Sequence, residues 1–269
     1  MTDIQDVKAR LPMGKVIDNS VVDYDYSIVD MFSQGWQKVS GYKSTFWGAA
    51  AIYFLCAIVL AAISGVLTHF LSNIASLGVS EKNLLGAFFR SISQLILYPL
   101  VISIMILGIK RSIDLPVKSE MIFDYYHYFL RLVGALIAIY IVTFIPISLG
   151  MFSIMVAQHL DSVVLRILLW LLGLGFFAAG VYLLYAYMFT GMLIAEKNRG
   201  IWSALETSRR AVSMHWFKLF FLMVLSMLVL IVSIIPLFIG LIWAGPWVNC
   251  TWGVVYRTIF GVEDVRIAN

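Results

Sequence analysis

Residues able to do chemistry are few and scattered in this chain of 269 residues. Its four histidines, His69, His127, His159 and His215, each lack a second histidine four positions away. That pairing is what sets two imidazoles on one helix face for zinc. Cys56 and Cys250 have no Cys or His at ligand spacing and read as small hydrophobes. A Gly-rich phosphate loop and a serine nucleophile elbow are both missing. The remaining candidates are polar residues in apolar surroundings: Gln94, Asn249 and Thr251, with Ser64, Ser103 and Ser226. Such groups either hydrogen-bond between membrane helices or line a path for a lipid or small neutral solute. Around Asn249 the stretch Gly240–Gly253 holds three tryptophans, three glycines and Pro246. A straight helix is not expected there, and carbonyls freed by Pro246 could line a cavity or the glycines could serve close packing. The sequence predicts no metal and no cofactor.

The elements that must position these groups follow from charge. Hydrophobic residues make up 61% and charged residues 13%, against about 25% charged in soluble domains. No Asp, Glu, Lys or Arg occurs in 44–80, 91–109, 132–160, 167–195 or 219–256. Each gap can supply the roughly 20 apolar residues of a membrane span. Spans are predicted at about 46–70, 85–109 (bent at Pro99), 132–156 and 165–195. The last gap, 38 residues long, would make one helix of about 57 Å. Pro236 and Gly240 divide it into 217–235 and 238–256, giving six spans, with five as the rival. The fold class is thus all-α, a polytopic bundle. Residues 1–26 form a polar tail, 27–261 one membrane domain and 262–269 a short second tail. No cleavable leader precedes the first span, which is expected to serve as its own insertion signal.

Before the first, third and fifth spans lie aromatic amphipathic segments: 27–41, 121–129 and 201–216. The third presents Ile201, Trp202, Leu205, Val212 and Trp216 on one face, with Arg209 and Arg210 elsewhere and Lys218 following. Trp202, Arg209, Arg210, Trp216 and Lys218 are the candidate contacts to anionic lipid at the cytoplasmic surface. Each such segment followed by a pair of spans would be one unit of a threefold repeat of hairpins. With six spans and an inside N-terminus, 16 of the 19 basic residues fall on the cytoplasmic side. Only Lys82, Arg90 and Arg166 fall outside. The net charge of +4 reflects this bias, and a nucleic-acid partner is not expected.

The segments Ala204–Ala211 (Ala-Leu-Glu-Thr-Ser-Arg-Arg-Ala), His215–Lys218, Gly245-Pro246 and Tyr256-Arg257 through Gly261 carry a resemblance. Over 200–261 they resemble uncharacterised bacterial six-span families related to the membrane domain found beside glycerophosphodiester phosphodiesterases. The resemblance implies a bacterial inner-membrane protein with both termini cytoplasmic. It carries no phosphodiesterase activity, since that soluble domain is not in this sequence. The functional expectation is a non-enzymatic role in the envelope or as a membrane partner of other proteins. The alternatives are a permease for a lipid-like or weakly polar solute and, third, a lipid-acting enzyme.

Overall fold

The computed structural model describes residues 16–17, 20–21, 23–76 and 78–262. The remainder of both expected tails, with Asp18, Arg266 and the basic residues of 1–15, lies outside the described residues. A short antiparallel pairing of β1 (Val16–Ile17) with β2 (Ser20–Val21) precedes an all-helical body. Helix α1 (Ile28–Gln37) is capped by Ser27, whose Oγ accepts from the Asp30 amide. Gly41, at φ +76°, turns the chain into α2 (Lys43–Ile74). Helix α3 (Val79–Ser112) begins with the Glu81 carboxylate accepting from the Gly78 amide at 2.9 Å.

Two short 3₁₀ turns, Ser119–Phe123 and Tyr126–Tyr128, lead into α4 (Phe129–Ala157). Then follow α5 (Val163–Ala186), α6 (Thr190–Lys197), α7 (Ile201–Met214), α8 (Trp216–Ile234) and α9 (Leu241–Phe260). Among the described residues five segments are long and apolar enough to cross a bilayer: α2, α3, 119–157 with α4, 163–197 with α5 and α6, and α8.

Helices α2 and α3 form an antiparallel hairpin, registered where Ser64 Oγ meets Ser93 Oγ at 2.8 Å. Helices α4 and α5 form a second. A Cβ on Gly150 or Gly173 would lie under 3.0 Å from backbone of the other helix, so small residues set this close approach. The far halves of these hairpins expose Val66, Phe70, Phe152, Met155, Leu168 and Leu171, as expected of surface that meets lipid rather than water. The core gathers at the opposite, open end, where the last turns of α3 meet α6, α7 and α9. Ile106, Phe189, Leu193, Ala204, Ala211, Val254 and Phe260 are buried there.

Two expectations meet a different structure. The 121–129 segment is a pair of 3₁₀ turns rather than a helix lying flat. Ile122 and Tyr125 are buried and Tyr126 Oη donates to the Ile96 carbonyl at 3.0 Å, so its side chains point inward in several directions. The three pre-span segments therefore differ locally. The second difference is α9, the expected sixth span. It is long enough, at 20 residues, yet is not among the five apolar segments, and its second half is almost wholly buried.

The setting of α9 follows from its contacts. Its first turn meets the start of α2: the Trp47 indole donates to the Ile242 carbonyl at 3.2 Å and Lys43 lies over the Trp243 ring. Its middle meets α3 at Gly108. The contacts Asn249–Ile104, Gly253–Gly108 and Arg257–Ser112 share one offset of 145 positions, so α9 runs parallel beside the last turns of α3 at the open end, while its first turn reaches the start of α2. Helix α1 covers its other side. The continuity of α9 through Pro246 has a local cause. The proline leaves the Ile242 carbonyl without its helical donor, and the Trp47 indole supplies one from another helix.

Candidate functional site

The polar residues of α9 converge on one junction beneath α1. Asn249 is buried; its Oδ1 accepts from Tyr42 Oη at 2.8 Å and its Nδ2 donates to the Ile104 carbonyl at 3.2 Å. Thr251, fully buried, returns its hydroxyl to the Trp247 carbonyl and packs on Gly35 of α1. The Trp247 indole donates to the Phe32 carbonyl at 2.8 Å, with the Phe32 and Trp36 rings edge-on to it. Two glycines permit this density: a Cβ on Gly253 would overlap the Gly108 carbonyl, and one on Gly108 would overlap Asn249.

One turn further lies Arg257, only 1% exposed. Its guanidinium donates to the Ser112 carbonyl and, at 2.5 Å, to Gln34 Oε1. A single cation thus joins α9, the C-terminus of α3 and α1. Placing it at the last turn of α3 also suits the negative end of that helix dipole. Beside it Tyr256 Oη donates to Glu196 Oε2 at 2.9 Å, and Lys197 Nζ stands 3.7 Å from that carboxylate oxygen. Lys110 lies over the Tyr125 ring. Charges this deep in protein demand partners; each of these groups has at least one, although Arg257 Nε itself is left without a hydrogen bond.

Of the residues predicted to line a path, Asn249, Thr251 and Pro246 belong to this junction. Gln94 does not: it is exposed on α3 in the apolar half of the α2–α3 hairpin. The candidate lipid contacts on α7 and the start of α8 are spread over one surface. Trp202 is 76% exposed, whereas Leu205 and Val212 of the same expected face are buried in the protein. Trp216 packs on Phe217, Phe220 and Tyr182. Arg209 and Arg210 both bond Glu206, at 2.8 and 2.6 Å, and hold its carboxyl down to about 2. Asp23 and Asp25 face His215 and Lys218. The sequence reading missed this acidic half of the surface because Asp23 and Asp25 are almost 200 positions from their partners.

The strap of residues 23–26 is held here by Tyr24 Oη donating to the buried Ala211 carbonyl at 2.9 Å and by the Asp25–Lys218 pair. The Lys218 ammonium, then the Tyr26 amide, hold the Asp25 carboxyl below its ordinary value. A depressed carboxylate supports the fold above its unfolded pKa, near 4, and that support disappears as pH falls through the folded value. Amide protection at Tyr24 and Tyr26, corrected for intrinsic exchange, is expected to fall between pH 6 and 3. Asp25→Asn should show the same loss already at pH 7. Protection independent of pH and unaffected by the substitution would mean the pair does not hold the strap.

Among the described residues no three His, Cys, Asp or Glu are grouped to hold a metal. His127 faces the Asp124 carbonyl, His69 faces Asn73 and His215 faces Asp23. Two clefts of about 470 Å³ each are apolar and open to the lipid side, one between α2, α3 and Tyr126, the other between α4 and α5.

The fold and this junction define a polytopic all-helical membrane protein. No family model matches the chain, and no curated protein or solved structure is significantly similar to it.

Proposed function

We propose that the protein is a non-enzymatic inner-membrane scaffold, a fixed junction from which helical hairpins spread into the lipid and against which partner proteins or lipids rest. The observation that carries this reading is the state of Asn249. Its amide, the most polar uncharged group at depth, is consumed by Tyr42 and the Ile104 carbonyl. A solute path would keep such a group facing open space. On this reading the chain belongs with the six-span families that 200–261 resembles, and the open end of the hairpins faces the cytoplasm.

Two features support that orientation. Val262 packs in one cluster with Val21, Tyr24 and Tyr26, so the two ends of the described chain share a side. The α8–α9 hairpin therefore enters and returns, whether α9 crosses fully or lies within the junction. Lys110, Arg111 and Lys118 at the same end obey the bias of basic loops toward the cytoplasm. Reporter fusions after Lys118 and Arg199 and at Asn269 should report cytoplasm.

The test of the scaffold reading is a cysteine at position 249. Asn249→Cys, with Cys250 replaced by Ala, is expected to stay unlabelled by small aqueous thiol reagents in folded, inserted protein. Asn249→Ala should lower stability by about 0.6 kcal/mol, up to about 2, as buried membrane hydrogen bonds do, and leave cellular function intact at matched protein level. Fast labelling, or lost function at unchanged stability, would favour the permease.

A further inference from the structure

At the closed end of the α2–α3 hairpin, away from the junction, a cleft of about 230 Å³ is lined by Ala61, Ser64, Gly65, Thr68, His69, Lys82, Gly86 and Arg90. We propose that it binds the phosphate of an anionic phospholipid headgroup in the leaflet at that end.

Depth comes first. Helix α3 has 34 residues, about 51 Å, well beyond the ~30 Å hydrocarbon core. Lys110 marks the core boundary at the open end, and Arg90 precedes it by 20 residues, about 30 Å. Arg90 is thus at the opposite boundary, where lipid phosphates lie, and Lys82 stands two turns further out. On α2, Ser64 follows Lys43 by 21 residues and reaches the same level. Arg90 turns back over Gly86, toward the closed end, with its guanidinium near Thr68, which is the direction of snorkelling.

Charge comes next. Among the described residues, the side chain of neither Lys82 nor Arg90 makes a hydrogen bond or ion pair in the protein. The only acid in 31–113 is Glu81, and its carboxylate is taken by the Gly78 amide. Two cations without a carboxylate partner therefore share one cleft, unlike the open-end surface, where Glu206, Asp23 and Asp25 pair with basic side chains. His69 stands at the same cleft, with its Nε2 3.1 Å from the side-chain amide of Asn73. The cleft floor is made of small residues. A Cβ built on Gly65 meets nothing within 4 Å, leaving a groove over Ala61 and Gly65 along which an acyl chain can descend into the core.

The test uses full-length protein in nanodiscs of uncharged carrier lipid, titrated with phosphatidylglycerol or with diacylglycerol, and read by native mass spectrometry of retained lipid. Phosphatidylglycerol should bind one per chain and diacylglycerol, without the phosphate, should not. Lys82→Gln and Arg90→Gln should each weaken binding about fivefold, with both together near 25-fold. Arg166→Gln, a basic residue elsewhere at that end of the membrane, should have no effect. Gly65→Leu keeps both charges but fills the groove, and should weaken lipid binding without lowering the thermal midpoint. Equal retention of the two lipids, or of phosphatidylglycerol by the double variant, overturns the proposal. Displacement by sub-millimolar inorganic phosphate or glycerol phosphate also overturns it, because the ligand would then be a soluble phosphate.

Discussion

Gly253→Val is expected to leave almost no folded protein in the membrane. A Cβ at this position would lie under 3.0 Å from the carbonyl carbon and oxygen of Gly108 and the amide of Ile109. These are backbone atoms of α3, so no side chain can rotate away, and the two helices must separate. Overpacking a core commonly costs about 1–3 kcal/mol; here separation would also break the Asn249 and Arg257 bonds, and a loss above about 4 kcal/mol is expected. Gly65→Ala is the contrast, since that Cβ meets nothing within 4 Å and alanine favours the helix by up to about 1 kcal/mol. Unfolding midpoints of both variants in one detergent check the pair. A Gly253→Val protein as stable as the parent would mean that α9 does not pack on α3 at Gly108.

Arg257→Ala should be the most damaging substitution of a polar side chain in the junction. Hydrogen bonds to a charged group are each worth about 1.5–3 kcal/mol, and this side chain makes two, to different elements. A loss of about 3–5 kcal/mol is expected. Arg257→Lys should recover only part of it, because a shorter point cation cannot serve the Ser112 carbonyl and Gln34 Oε1 together. Gln34→Ala should cost less alone and little more when combined with Arg257→Ala, since the pair acts through one bond. Fully additive losses would show that Arg257 and Gln34 stabilise the junction separately.

These effects centre on residues whose importance the sequence reading ranked low. Arg257 entered only as a basic residue near a span end and as part of a closing Tyr-Arg motif. Nothing local marks it as buried, because its acceptors are 145 and 223 positions away. Gly108 and Gly253 look like any helix glycine until the two helices are set against each other. The strap had the same difficulty, with Asp23 and Asp25 reading as tail charges until folding placed them beside His215 and Lys218. The basic cleft at the hairpin tip was legible in part: Lys82 and Arg90 stood out as two of the three basic residues on their side. Their sharing one cleft with His69 was not.

What the sequence determined by itself is the helical, apolar character of the chain and the rough division of its last apolar run. Those depend on local quantities: long runs without charge, and proline and glycine at 236 and 240. The break of the expected 165–195 span at 187–189 was not legible. Tertiary structure alone decided the role of the last helix. Asn249, Thr251, Arg257 and three tryptophans make α9 too polar to face lipid all round. Packing beside the end of α3 under α1 gives every one of those polar side chains a protein partner or a place at the junction. Hydropathy measures how one helix would fare in lipid, and it carries no record of neighbours that take lipid's place.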